Sequence, residues 1–203
     1  MIRRFIGLSI FLVLSACTTL KTVDSPGREQ LRTNLLAANE WEFRGRIAVR
    51  SDDGDGDGQA NLRWRQLGER SHIRISGPFG AGTYEIDWSP KGITIESADG
   101  EESLEYAGSA AAESFLDDQL GWSFPAGSAR YWMLGLIDPD QPGHEFFDAE
   151  GGLTGISQHG WQLGYKRFAD VNGLVLPTRI EMANSNANLR IVIARWKLRL
   201  EPG

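Results

Sequence analysis

Cysteine is almost absent from this chain: Cys17 is the only one. That excludes an intrachain disulfide and any metal centre built on several thiolates. Histidine is scarce as well. His72, His144 and His159 lie far apart, and none has the i, i+3 or i, i+4 spacing that aims two imidazoles from one helix at a metal. There is no G-x-S-x-G elbow to carry a nucleophile and no glycine loop of either common kind to cradle phosphates. Asp117-Asp118 and Glu101-Glu102 are adjacent pairs, whose side chains point apart on a helix or strand, so they read as solvated faces. No catalytic residue, metal or cofactor is expected. Positive charge is also in deficit, with 21 Lys and Arg against 27 Asp and Glu, a net −6. That balance argues against nucleic acid as a partner and against a broad electrostatic grip on an anionic membrane.

Long apolar runs are missing too. The longest, Phe5 to Leu14, is broken only by Gly7 and Ser9. At 1.5 Å per residue it makes a helix of about 15 Å, half of a hydrocarbon core of roughly 30 Å. It follows Arg3 and Arg4 and leads into Leu14-Ser15-Ala16-Cys17. A short positive region, a short apolar run and small residues before a cysteine are the features of a lipoprotein export signal. Residues 1–16 are therefore expected to be removed and Cys17 to become an acylated N-terminus. By resemblance to bacterial lipoproteins, Thr18, where an aspartate would favour the inner membrane, points to the outer membrane.

Residues 18–30 lack periodicity and read as a tether, with a short helix plausible over residues 25–39, where Leu31, Leu35 and Leu36 have helical spacing. Residues 17–40 thus form a lipidated N-terminus, tether and short helix, and residues 41–203 a single domain. From Trp41 the period becomes two: Trp41, Phe43, Gly45, Ile47 and Val49 alternate with Glu42, Arg44, Arg46 and Ala48. The alternation continues through Ala60, Leu62 and Trp64, then Ile73 and Ile75, then Tyr84, Ile86 and Trp88, then Ile93 and Ile95, then Leu104 and Tyr106. Turn chemistry separates these runs at residues 67–70, 77–80, 89–92 and 98–100. The pattern breaks over residues 109–120 and 128–136, which read as two helices, and a Pro/Gly loop fills residues 138–143. Strands resume over residues 152–157, 161–168, 176–183 and 187–200. Strands, two helices, then strands again predict an α+β domain: a curved antiparallel sheet with a short helical lid.

Three features bear on function. Asp53-Gly-Asp55-Gly-Asp57-Gly58 opens like a calcium loop, but the bidentate glutamate required eleven residues after Asp53 is replaced by Trp64, so residues 52–58 read as a solvated hairpin loop. The chain holds many large apolar residues on faces predicted to point inward. Phe43, Ile47, Trp64, Ile75, Tyr84, Ile86, Trp88, Trp132, Trp161, Ile180 and Ile191 are candidates to line an apolar cavity, or else to fill an ordinary core. Finally, Pro78, Phe79 and Gly80 put a phenylalanine in a turn that is hard to bury. It either tucks back onto the sheet or forms an exposed tip that dips into a bilayer, a contribution of about 1.5–3 kcal/mol.

The lipobox is followed in order by six segments: Trp41-Glu-Phe-Arg-Gly-Arg-Ile-Ala-Val49, Leu62-Arg-Trp-Arg65, Ile75-Ser-Gly-Pro-Phe-Gly80, Arg130-Tyr-Trp-Met-Leu-Gly-Leu136, Gly160-Trp-Gln-Leu-Gly-Tyr165 and Leu176-Pro-Thr-Arg-Ile180. In this order and spacing they resemble the LolB family of outer-membrane lipoprotein receptors of Gram-negative bacteria, from about Trp41 to Leu198. The resemblance implies an incomplete, half-open antiparallel barrel with helices over its open side and an apolar cavity between. It implies an outer-membrane protein, facing the periplasm and monomeric, that accepts client lipoproteins by their acyl chains from the soluble carrier LolA. The clients would then be released into the inner leaflet of the outer membrane. By position Phe79 takes the place of the family's protruding leucine. Two other readings predict different behaviour: a lipoprotein that binds an apolar ligand without transfer, and a structural or assembly lipoprotein with a filled core.

Overall fold

The structure, a computed structural model, describes residues 26–51, 57–77, 82–101, 103–108 and 124–199. Cys17, Thr18, the triplet Pro78–Gly80, the helix expected over residues 109–120 and most of the Asp/Gly loop lie outside the described residues.

Eleven strands form one antiparallel sheet among the described residues. After helix α1 (Pro26–Leu36) come β1 (Glu40–Ser51), β2 (Gly58–Leu67), β3 (Arg70–Ser76), β4 (Thr83–Ser89), β5 (Gly92–Ser97) and β6 (Ser103–Ala107). Helix α2 (Ala126–Met133) follows, then β7 (Gly143–Phe147), β8 (Leu153–Gln158), β9 (Trp161–Val171), β10 (Leu174–Ala183) and β11 (Ala187–Arg199). The strand order is β6-β5-β4-β3-β2-β1-β11-β10-β9-β8-β7, two meanders joined where β1 pairs with β11. The sheet keeps two free edges, β6 and β7, and is open where a barrel would close.

Its curl has local causes. Between Arg44 and Gly45 the β1–β11 register shifts, a bulge that bends and twists the pair. A Cβ at Gly45 would lie 2.2 Å from the Val192 carbonyl oxygen, so only glycine permits this approach. Further shifts follow Pro177 in β10, between Pro177 and Ile180; Pro177 has no N–H for the ladder, and its carbonyl accepts Trp196 Nε1–H at 2.8 Å.

The helices depart modestly from expectation. α1 stops at Leu36. α2 begins before Ser128 and ends at Met133, because Gly135 takes a left-handed conformation (φ 75°) while Leu136 N–H returns to the Tyr131 carbonyl. β7 has no counterpart among the expected strands. His144 to Phe147 show little alternation, and as an edge strand it leaves Phe146 half exposed.

α2 lies across the concave face. Ala126 packs on the cluster of Trp88, Ile93 and Ile95, while Trp132 and Met133 join the main core. The helix therefore bridges the β4–β5 region and the β8–β9 region. Trp132 is fully buried, with its ring 6.2 Å from Phe124, and its Nε1–H donates to Gln158 Oε1 at 2.8 Å. Gln158 also accepts the Asp138 N–H and donates to the Asp138 and Gln141 carbonyls, so every polar atom of this buried amide is satisfied. Tyr165 Oη–H donates to the Trp132 carbonyl at 2.9 Å, and burial pushes the phenol well above its usual titration range.

Candidate functional site

Alternation along each strand gives the sheet an apolar concave face and a polar convex one, and the register shows which side chains stand together. Within the concave face, Trp64 faces Phe43 and Ile73, Ile75 faces Leu62 and Tyr84, and Ile86 faces Ile73 and Ile95. Ile180 and Ile191 face each other, as do Ile47 and Ile191. All the concave-face candidates named from sequence point to this one side.

The concave face is nevertheless divided. On β8–β11 and the centre of the sheet it is packed solid. Phe43, Trp132, Trp161, Ile180 and Ile191 are buried, and Phe43 sits 5.1–6.0 Å from Trp41, Trp64 and Trp196 in an aromatic cluster. Trp64 and Trp88 are also buried. On β3–β6 the same face is only partly covered. Ile73, Ile75, Ile86 and Tyr106 are half-buried, while Tyr84 and Leu104 keep 38% and 42% of their surface exposed. Ile47, on β1, is half-buried as well. Tyr84 and Leu104 adjoin the half-buried Ile73, Ile75, Ile86 and Tyr106 on one face, and a contiguous exposed apolar patch marks a contact site, so this strip is the candidate apolar contact surface. Leu104, Ile73 and Tyr106 belong to it although they stand outside the cavity candidates drawn from sequence; the period-two alternation that marked their neighbours marks them equally.

Among the described residues, recesses open at the sheet's ends, two of them with apolar lining. One, of about 320 Å³, lies beside α1 and is lined by Leu31, Leu35, Leu134, Leu136, Leu153 and Phe168 among others. The other, of about 1120 Å³, is bordered by Val49, Leu163, Met182 and Leu189 together with Arg50, Lys166, Glu181 and Arg190, so its walls are mixed in polarity. The β3–β4 connection, which carries Pro78–Gly80, leaves the sheet at the same end as the β1–β2 and β10–β11 connections. No group of three or more His, Cys, Asp or Glu suited to a metal occurs among the described residues.

The convex face carries a feature that composition hides. β1, β2 and β11 present Arg44, Arg46, Arg50, Arg63, Arg65, Arg190, Arg195, Lys197 and Arg199 to solvent against only Glu40 and Glu42. β4, β5 and β6 carry Glu85, Asp87, Glu96 and Glu105 and no base. The chain is acidic overall, yet its charges are segregated, with β3 as the boundary: Arg74 pairs with Glu85, and His72 Nδ1 lies 2.9 Å from Asp87 Oδ1. At the centre of the basic region Arg74, Arg63, Arg44 and Arg195 are direct cross-strand partners in sequence, a row of four like charges on four adjacent strands. Glu42 relieves it in part. It accepts from Arg63 at 2.9 Å and from Arg44 at 3.3 Å, and the Arg63 hydrogen bond holds its carboxyl below the usual range despite partial burial. Arg195 has no ion pair among the described residues.

Like charges directly opposite destabilise a sheet, and an opposite pair contributes about 0.2–1 kcal/mol. Arg195→Glu is therefore expected to raise the melting temperature by about 1–4 °C at low ionic strength, since 1 kcal/mol corresponds to about 2–4 °C in a domain of this size. The gain should shrink in about 0.5 M salt. A calorimetric scan of the two proteins that shows no rise would mean that the row carries no net repulsion.

A family model described as outer membrane lipoprotein LolB matches residues 39–196. An outer-membrane lipoprotein LolB of Stutzerimonas stutzeri (strain A1501) is 29% identical over 206 residues, covering 98% of this chain and 97% of the relative. Another, of Alkalilimnicola ehrlichii, is 34% identical over 194 residues, covering 92% of each. Among solved structures, a LolA superfamily protein from Nitrosomonas europaea aligns over 85% of this chain and 94% of its own, with 13% identity and a TM-score of 0.48.

Proposed function

The chain belongs to the LolB family, and from that premise we propose that it is a receptor anchored in the outer membrane that accepts lipoproteins by their acyl chains and inserts them into that membrane. The donor is the soluble periplasmic carrier LolA, met by a monomer of this protein that faces the periplasm. Residues 1–16 are the export signal, Cys17 carries the acyl anchor, residues 17–40 tether it, and residues 41–203 form the lipoprotein-binding domain. Pro78, Phe79 and Gly80 form the loop that enters the bilayer.

The observation that carries this reading is the half-covered apolar strip on β3–β6, set beside a packed β8–β11 half. An acyl chain moved through water costs about 0.8 kcal/mol for each exposed CH₂, so transfer needs an apolar surface that stays accessible while the fold stays closed elsewhere. A rigid half supplies stability and an open half supplies contact. The hand-over makes and breaks no covalent bond; its direction follows from successively tighter binding by carrier, receptor and membrane. Of the candidates drawn from sequence, Ile47, Ile75, Tyr84 and Ile86 lie on accessible surface and are proposed to meet acyl chains, joined by Leu104. Phe43, Trp64, Trp88, Trp132, Trp161, Ile180 and Ile191 are proposed to shape the wall behind them.

The test is transfer of a radiolabelled lipoprotein from purified carrier to this protein made without its acyl anchor, and then to liposomes. Wild type should accept and deliver. Phe79→Glu should accept but deliver at least tenfold less, because about 1.5–3 kcal/mol of bilayer contact is lost and a charge is added. A wild-type protein that takes nothing from a matched carrier would leave the two non-transfer readings standing in its place.

A further inference from the structure

The row of arginines on the convex face has no use in the apolar transfer just described, and it costs stability. Arg74, Arg63, Arg44 and Arg195 stand opposite one another across β3, β2, β1 and β11, about 4.8 Å from strand to strand. All four side chains are exposed. Arg46 and Arg65 extend the same surface toward the two ends of the strands. Glu42 and Glu85 answer three of the four, and Arg195 is left without a carboxylate among the described residues. We propose that this convex basic face is a docking surface for anionic phospholipid headgroups, which lays the body of the protein against the membrane that holds its anchor.

Three points favour a headgroup layer as the occupant. The positive charge is spread along a row that crosses four adjacent strands of one sheet face, so it matches a repeating layer of phosphates. Guanidinium groups bind phosphate in a bidentate manner and are weakly hydrated, which suits contact at a lipid surface. The third point is reach. Only eight residues lie between Cys17 and Pro26, where α1 begins, and nine steps of 3.3–3.6 Å let the tether span at most about 30 Å. An anchored body is therefore held within a few nanometres of headgroups at all times, and a weak attraction is enough to orient it. The acidic β4–β6 region would be repelled by the same surface and turned toward the periplasm. This inference rests on membrane residence and not on lipoprotein transfer, and its vesicle-binding test needs neither the anchor nor the carrier.

The experiment is co-sedimentation of the mature chain, residues 17–203 with Cys17→Ser so that it carries no acyl group, with vesicles of phosphatidylcholine alone or mixed with about 30% phosphatidylglycerol. Partition into the anionic vesicles should exceed that into neutral ones by at least about tenfold at low salt and fall steeply with added salt. The variant Arg44→Gln/Arg63→Gln/Arg74→Gln/Arg195→Gln should lose at least about tenfold of that partition, since each surface cation contributes up to about 1 kcal/mol. The matching fourfold lysine variant should keep most of it, because the attraction is chiefly Coulombic. Near-UV circular dichroism identical to wild type checks that each variant is folded, and the lysine variant controls for packing. Equal binding to both vesicle types would overturn the proposal. So would a glutamine variant that binds anionic vesicles as wild type does; if that variant instead fails to receive lipoprotein from the carrier, the face belongs to a protein partner.

Discussion

Trp132→Ala should lower the stability of this protein by about 3–5 kcal/mol, the largest loss expected from any single truncation. Trp132 is fully buried on α2, the only described helix that crosses the concave face, and three separate contacts converge on it. Its ring meets Phe124 edge-on at 6.2 Å, its Nε1–H holds Gln158, and its carbonyl receives the Tyr165 hydroxyl. Truncation removes the ring and leaves a large void that the sheet cannot close, because β8 and β9 are fixed by their own ladder. In a domain of this size the melting temperature should fall by roughly 6–20 °C. Trp132→Phe separates the causes. It keeps most of the ring volume while losing the indole N–H and the outer part of the bicycle, and Gln158 Oε1 still accepts the Asp138 N–H. The expected loss is about 1–2 kcal/mol. Urea unfolding of both variants decides: equal losses would mean that the hydrogen bond, and not the packed volume, makes α2 indispensable.

This dependence on one helix explains what could and could not be read in the sequence. Strands were legible because alternation is a local signal. Trp41 to Val49 shows it plainly, and β1 forms there with the expected apolar residues inward. The hairpin order followed from turn residues, so the two meanders were also within reach. The pairing of β1 with β11 was not, since it joins residues about 150 positions apart and leaves no local mark. β7 was invisible for another reason: an edge strand with one half-exposed face needs little alternation. The apolar inventory was found, but its division was hidden. Ile86 and Ile180 look alike in sequence, but Ile180 is fully buried in the main core while Ile86 is only half covered, a difference set by tertiary packing. Charge was misjudged by summing it. A net −6 suggested a surface repelled by anions, whereas alternation on β1, β2 and β11 sends nearly every arginine to the convex side. Counting charges by strand and by parity would have found the row.

The division of the concave face leads to the second large effect. Tyr84→Asp combined with Leu104→Asp is expected to reduce uptake of lipoprotein from the carrier on the order of a hundredfold while leaving the fold intact. Both side chains are already 38–42% exposed, so neither substitution buries a charge in the free protein. Both belong to the concave face, since Tyr84 pairs with Ile75 and Leu104 with Ile95. An acyl chain laid along this strip would have to desolvate the two carboxylates, at a cost of a few kcal/mol, and a tenfold loss corresponds to about 1.4 kcal/mol. Val192→Asp is the control. Val192 is 44% exposed, as open as the other two, but it lies on the convex side between Arg46 and Arg179, where a carboxylate is welcome. Its uptake should match wild type. Ile180→Asp, in the packed half, should instead unfold the protein, because Ile180 is fully buried. The contrast with Phe79→Glu completes the assignment: the strip variant fails to receive, whereas the loop variant receives and fails to deliver. If the Tyr84/Leu104 variant takes up lipoprotein normally while remaining folded, acyl chains do not travel on β3–β6, and one of the recesses at the sheet's ends becomes their route.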